Sequence, residues 1–171
     1  MPLHYENLDV TTRKFMQEEI EKDTENSTIY IGSYLNEEGR ILWPSLLLEA
    51  AKNGNDASLA AKLRNENLLK TQALRSGKPV SVPVTAADTL SEGEFNRYYA
   101  RGVCLHAISN GGDDVTVYRA RASSNPRSSS EAKIGLKYKA KELLKDLREN
   151  PGVDTALGLP NGPNSGLSCK F

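Results

Sequence analysis

The stretch from Ser91 to Ser109, SEGEFNRYYARGVCLHAIS, constrains the fold more than any other part of the sequence. Phe95, Tyr98, Gly102, Leu105 and Ile108 recur at helical spacing, and so do Tyr99, Val103 and Ala107. Apolar residues therefore cover most of the helical circumference. A helix without a wide polar face needs neighbours on most sides, so this one is predicted to be the centre of the core. Gly111-Gly112 stops it. Two capping boxes precede it, Thr85 with Asp88 and Ser91 with Glu94. The uninterrupted pattern follows the second, so the helix is expected over Glu92 to Ser109.

The segments before it read as helices. Asp9 caps TTRKFMQEEIEKD, with Phe15, Met16 and Ile20 on one side and Glu18, Glu19, Glu21 and Lys22 facing water. TIYIGSYL is either a short strand or a lead into the next helix. Asn36 caps EEGRILWPSLLLEAAKNG, in which Pro44 implies a break or kink at Trp43-Pro44 and a helix proper over Pro44 to Lys52. Asp56 is expected to cap DASLAAKLRNE. Leu46, Leu47, Ala50, Leu59, Ala60 and Leu63 would line the seam of this helical hairpin. Residues 65–80 lose periodicity. Gln72 to Pro79 reads as an exposed loop and a boundary between two halves.

After the central helix, VTVYRAR alternates as a strand does. SSNPRSSSEA is a polar loop, KIGLKY a second strand, and KAKELLKDLREN a helix with Leu143, Leu144 and Leu147 as its apolar stripe. The fold class is α-rich α+β. Residues 1–152 form one globular domain, with a helical unit (1–70) packed on a helix–strand–helix unit (79–152). Residues 153–171, rich in Gly, Pro and Asn, form an extended arm. Val153, Leu157, Leu159, Leu167 and Phe171 punctuate that arm, so it docks on its own domain or on a neighbour.

Charge separates the ends of the chain. Residues 1–70 hold eight Lys/Arg against twelve Asp/Glu, and residues 115–171 hold ten against five. The whole chain balances at 22 of each sign, which argues against general binding to nucleic acid or a membrane surface. Cys104 falls in the apolar helix and Cys169 near the end, so no disulfide framework is implied and a reducing, cytoplasmic setting is expected. The first ten residues lack the basic-then-apolar pattern of a signal peptide, and no apolar run approaches the ~20 residues of a membrane span.

Candidate chemistry is sparse. Cys104 and His106 lie about 200° apart on a helix and cannot share a metal. His4 is in an N-terminal segment expected to be mobile. No cofactor or metal is expected, and no catalytic residue is assigned. Asn125-Pro126-Arg127-Ser128-Ser129-Ser130 offers one Arg with hydroxyls and backbone N–H groups, so Arg127, Ser128, Ser129 and Ser130 form a candidate anion site. Arg119, the serines and Glu131 loosely resemble the Arg, Ser, Glu order of ADP-ribosyltransferases. That family, however, places its glutamate much later. Arg97, Tyr98, Tyr99 and Arg101 interleave basic and aromatic groups, a pattern that fits a partner interface, a nucleic-acid surface, or a core helix with internally paired arginines. With Leu157, Leu159, Leu167 and Phe171 of the arm they are the candidate partner-binding residues.

SEGEFNRYYARGVCLHAI (91–108) and VDTALGLPNGPNSGLS (153–168), with VYRAR and NPRSSSEAKIG between them, resemble a family of small bacterial proteins found in phage and prophage gene clusters. The resemblance implies no catalytic residues. It favours a non-enzymatic structural protein that self-associates or joins a larger assembly, such as a virion head or neck interface. The alternatives are a nucleotide- or ADP-ribosyl-modifying enzyme and a small nucleic-acid binder.

Overall fold

The computed structural model describes residues 1–152 and 165–171. Helix α1 (Val10–Glu25) starts where the Asp9 carboxylate accepts from the Thr12 N–H at 2.8 Å. Helix α2 (Glu37–Asn53) starts where Asn36 Oδ1 accepts from the Gly39 N–H. Contrary to the sequence reading, α2 runs through Pro44 without a break. Proline in a helix interior costs about 3 kcal/mol. Trp43 and Leu47 on either side are fully buried, and their burial outweighs that loss. Helix α3 (Asp56–Asn65) is capped by Asn55 rather than Asp56: Asn55 Oδ1 accepts from the Ser58 N–H, and Ser58 Oγ accepts from the Asn55 N–H. Asp56 instead accepts from the Leu3 N–H at 3.2 Å. The expected α2–α3 seam is buried at every one of its six positions.

Helix α4 (Ala86–Ser109) is the centre of the molecule. It packs on α1, α3 and helix α6 (Ala140–Glu149), and also touches the sheet. It begins six residues before the expected start, and Thr85 makes no side-chain cap. Ser91, read as a cap, lies wholly buried in the helix interior. Ala86 and Ala87 are good helix formers, and their burial extends the helix past its local signal. At Gly102 the backbones of α1 and α4 come close together. A Cβ there would stand 2.8 Å from the Thr12 carbonyl oxygen and 2.9 Å from Met16 Cγ.

Strand β3 (Asp114–Arg119) forms the middle of a three-stranded antiparallel sheet. On one side lies β4 (Lys137–Lys139), on the other β5 (Leu167–Lys170). The polar loop between β3 and β4 contains a single helical turn, α5 (Ser128–Glu131). The register of β5 runs from Thr116↔Lys170 to Arg119↔Leu167. The end of the presumed arm is thus a core strand of its own chain. Leu167 and Cys169 are fully buried and belong to the same hydrophobic cluster as Leu3, Trp43 and Phe95. The globular unit therefore does not end at residue 152. The N-terminus is also tied down: the His4 N–H donates to the Ala120 carbonyl at 2.8 Å, and Leu3 and Tyr5 are buried.

Residues 28–34 lead into α2 without forming a strand, the second of the two outcomes that the sequence left open, and Leu35 makes only an isolated bridge with Leu69. One further expectation changes. Gln72 to Pro79, read as a loop, is a β-hairpin of β1 (Gln72–Arg75) and β2 (Lys78–Ser81).

Candidate functional site

The aromatic and basic face of α4 is turned into the protein. Tyr98 donates its hydroxyl to Asp23 at 2.8 Å. Tyr99 is fully buried, and its hydroxyl accepts from the Asn7 N–H at 2.9 Å. Arg101 binds Glu19 through Nε at 2.6 Å and Asp23 through Nη1 at 2.5 Å. Arg148 of α6 closes the group by donating to both oxygens of Glu19. Two arginines and two carboxylates thus neutralise one another where α1, α4 and α6 meet. These bonds hold the Glu19 and Asp23 carboxyls below their ordinary range despite burial, which pushes the other way. Arg97 donates to the Asn150 carbonyl at 3.0 Å and lies 3.6 Å from Glu94. Tyr98, Tyr99 and Arg101 therefore have internal partners, and their exposure is too small for them to anchor another chain. In this face, i,i+4 arginines report a buried ion network.

Arg119 and Glu131 do meet, as an ion pair at the surface, and Arg119 also donates to the Ser165 carbonyl at 3.2 Å. Arg127, which precedes α5, and Ser128 and Ser129 in its single turn are exposed, whereas Ser130 is buried, so the four do not share one surface. Of the arm residues, Leu167 is core, Phe171 is half exposed with its ring edge against His106, and Leu157 and Leu159 lie outside the described residues. His106 also bonds Thr12 through Nδ1 at 3.0 Å. Among the described residues no group of three or more His, Cys, Asp or Glu could hold a metal, and no helix is long and apolar enough to cross a membrane. One surface pocket lies between α2 and α3 and another on α6. The first is lined in part by Leu46, Ala50, Ser58 and Leu59, the second by Leu144 and by Arg148 of the ion network.

The β1–β2 hairpin stands apart from this closed interior. Its strands pair with each other, and among the described residues neither makes more than marginal contact with another helix or strand. Every residue of both strands except Ala73 is exposed, and Leu74 is 76% exposed. Two-stranded hairpins are marginal in water without a supporting layer. This one relies on its turn: Ser76 and Gly77 both have positive φ, 50° and 74°, as the tight turn that matches strand twist requires.

Its backbone is polarised. The Val82 N–H donates to the Thr71 carbonyl at 3.1 Å, which makes 71 and 82 a hydrogen-bonded pair. Alternation along the register then turns the N–H and C=O groups of Gln72 and Leu74 outward on β1, and those of Pro79 and Ser81 outward on β2. Pro79 has no N–H to offer, so the β2 edge is blunted. The β1 edge is intact, and among the described residues no strand pairs with it.

Its side chains are polarised too. Gln72, Leu74, Pro79 and Ser81 share one face, and Ala73, Arg75, Lys78 and Val80 share the other. Arg75 stands directly opposite Lys78, and like charges in that position repel. From Leu68 to Ala87 the chain has Lys70, Arg75 and Lys78 and no carboxylate. That acid-free window around Ser76-Gly77 and Pro79 was the available sequence signal for the hairpin. Strands of four residues are too short for periodicity to reveal them. Comparison of the chain with protein-family models, with curated proteins and with solved structures gives no match.

Proposed function

We propose that this chain is a non-enzymatic assembly protein that joins a larger structure through the β1–β2 hairpin. The observation that carries the reading is a hairpin exposed on both faces, with one intact edge, on a body whose Arg101, Arg148, Glu19 and Asp23 pair with one another. Exposed Leu74 and Val84 add apolar surface to the same segment. The resemblance to proteins of phage and prophage gene clusters supports a virion head or neck interface as the setting. An enzymatic role for Arg119 and Glu131 draws little support from a surface ion pair in which each group already holds the other. A nucleic-acid role for Arg97 and Arg101 is disfavoured because both donate inward.

The test is co-expression with the proteins encoded beside this chain, followed by affinity purification. The intact chain is expected to retain a partner. A variant with Gln72–Ser81 replaced by a short Gly/Ser link is expected to melt like the parent and to lose that partner. Equal retention by both chains overturns the reading.

A further inference from the structure

Granted that the hairpin is the docking element, its backbone and charge pattern specify what it takes. We infer that the outer edge of β1 accepts an extended acidic segment of a partner protein as a third strand. Gln72 and Leu74 present two N–H donors and two C=O acceptors in line, which is the main-chain requirement for strand addition. The opposite edge cannot serve equally, because Pro79 removes one of its donors. Strand addition therefore has one permitted side.

The side chains set the sequence of the incoming strand. Residues pointing to the Arg75–Lys78 face meet two cations that oppose each other across the ladder and have no carboxylate partner among the described residues. An Asp or Glu placed beside them relieves that repulsion. Residues pointing to the other face meet Leu74 and Pro79, which favour apolar contact. The ligand is thus a strand alternating acidic with apolar residues. A second copy of this hairpin does not fit, since pairing two β1 edges would bring together two sets of like charges. Duplex nucleic acid would use the charge but leave the open edge and Leu74 without a role.

The test uses the full chain and a capped hexapeptide alternating Glu and Val, with a Lys/Val hexapeptide and a short DNA duplex as comparators. Binding is read by amide chemical shifts and hydrogen exchange. The Gln72 and Leu74 amides are expected to shift and to exchange more slowly with the Glu/Val peptide, which binds about tenfold or more tightly than the Lys/Val peptide. Leu74→Pro removes an outward N–H without touching the β1–β2 ladder and is expected to abolish that protection. Arg75→Glu, which leaves the backbone intact and sets a carboxylate opposite Lys78, is expected to abolish the peptide preference. Equal binding of the two peptides, unchanged exchange at Gln72 and Leu74, or tighter binding of the duplex would each overturn the inference. If the hairpin-replaced chain loses its partner in co-purification while the peptides fail here, docking stands and strand addition falls. If the partner is kept, the docking reading itself falls.

Discussion

The side-chain amide of Asn96 donates to the Leu167 carbonyl at 2.8 Å, and its oxygen accepts from Ser168 Oγ at 2.6 Å. Asn96 sits inside α4, and Leu167 is the first residue of β5. One buried amide thus closes the outer edge of the last strand, where among the described residues no further strand pairs. Asn96→Ala leaves the Leu167 carbonyl and the Ser168 hydroxyl buried without these partners, at a cost of about 2–4 kcal/mol. Urea unfolding should show a lower midpoint, and limited proteolysis should trim the C-terminus of the variant faster than the parent. An unchanged midpoint would mean that β5 is held by its ladder with β3 alone.

The same strand brings Cys169 against Cys104. Both thiols are buried, and a hydrogen bond in which the Cys169 thiol donates to Cys104, together with burial, holds that thiol well above its ordinary range. Since the thiolate is the reactive species, Cys169 should be inert in the native protein. Iodoacetamide is expected to label neither cysteine until β5 opens. Asn96→Ala should raise the Cys169 labelling rate about tenfold or more by making that opening easier. Rapid labelling of the parent chain would place β5 outside the core.

Gly102 records how closely α1 and α4 approach. Alanine there gains helix propensity of about 1 kcal/mol, yet its Cβ meets a backbone carbonyl that cannot rotate away. The net expectation for Gly102→Ala is a loss of about 1–3 kcal/mol, measured as a lower thermal midpoint. A neutral result would show that the two helices separate at little cost.

The long helices were legible because each carries a local signal. Asp9 and Asn36 cap where sequence places them, and the Leu143, Leu144, Leu147 stripe is buried as expected. Tertiary contacts decided the rest. Pro44 does not break α2, because Trp43 and Leu47 are locked in the core. The inward turn of Arg101 depends on Glu19 and Asp23, some eighty residues earlier in the chain, and no local pattern reports that. The tail looked like an arm because Gly, Pro and Asn dominate its composition. Four residues at its end nonetheless complete the sheet through pairing with β3. The hairpin escaped because strands of four residues, exposed on both faces, have no apolar side to alternate.

Glu94 gives the pH dependence its sign. It is buried on α4 with Arg97 only at 3.6 Å, and burial raises its carboxyl from 4.5 to about 7. Below the unfolded value both states are protonated, and Glu94 costs nothing. As pH rises from there to about 7, the unfolded chain releases its proton while the folded chain keeps it, so stability falls. Above that range the penalty is constant, at roughly 3 kcal/mol. Glu19 and Asp23 work in the opposite sense. Their depressed values contribute stability above the unfolded carboxylate range, and it is lost as pH falls through the folded values. Glu94→Gln should therefore leave stability near pH 4 unchanged and raise it near pH 8 by about 1–3 kcal/mol, the lower figure applying if Arg97 misses its charge partner. Denaturant unfolding of parent and variant at the two pH values measures the difference directly. A gain of equal size at both would assign the effect to packing rather than to ionisation of Glu94.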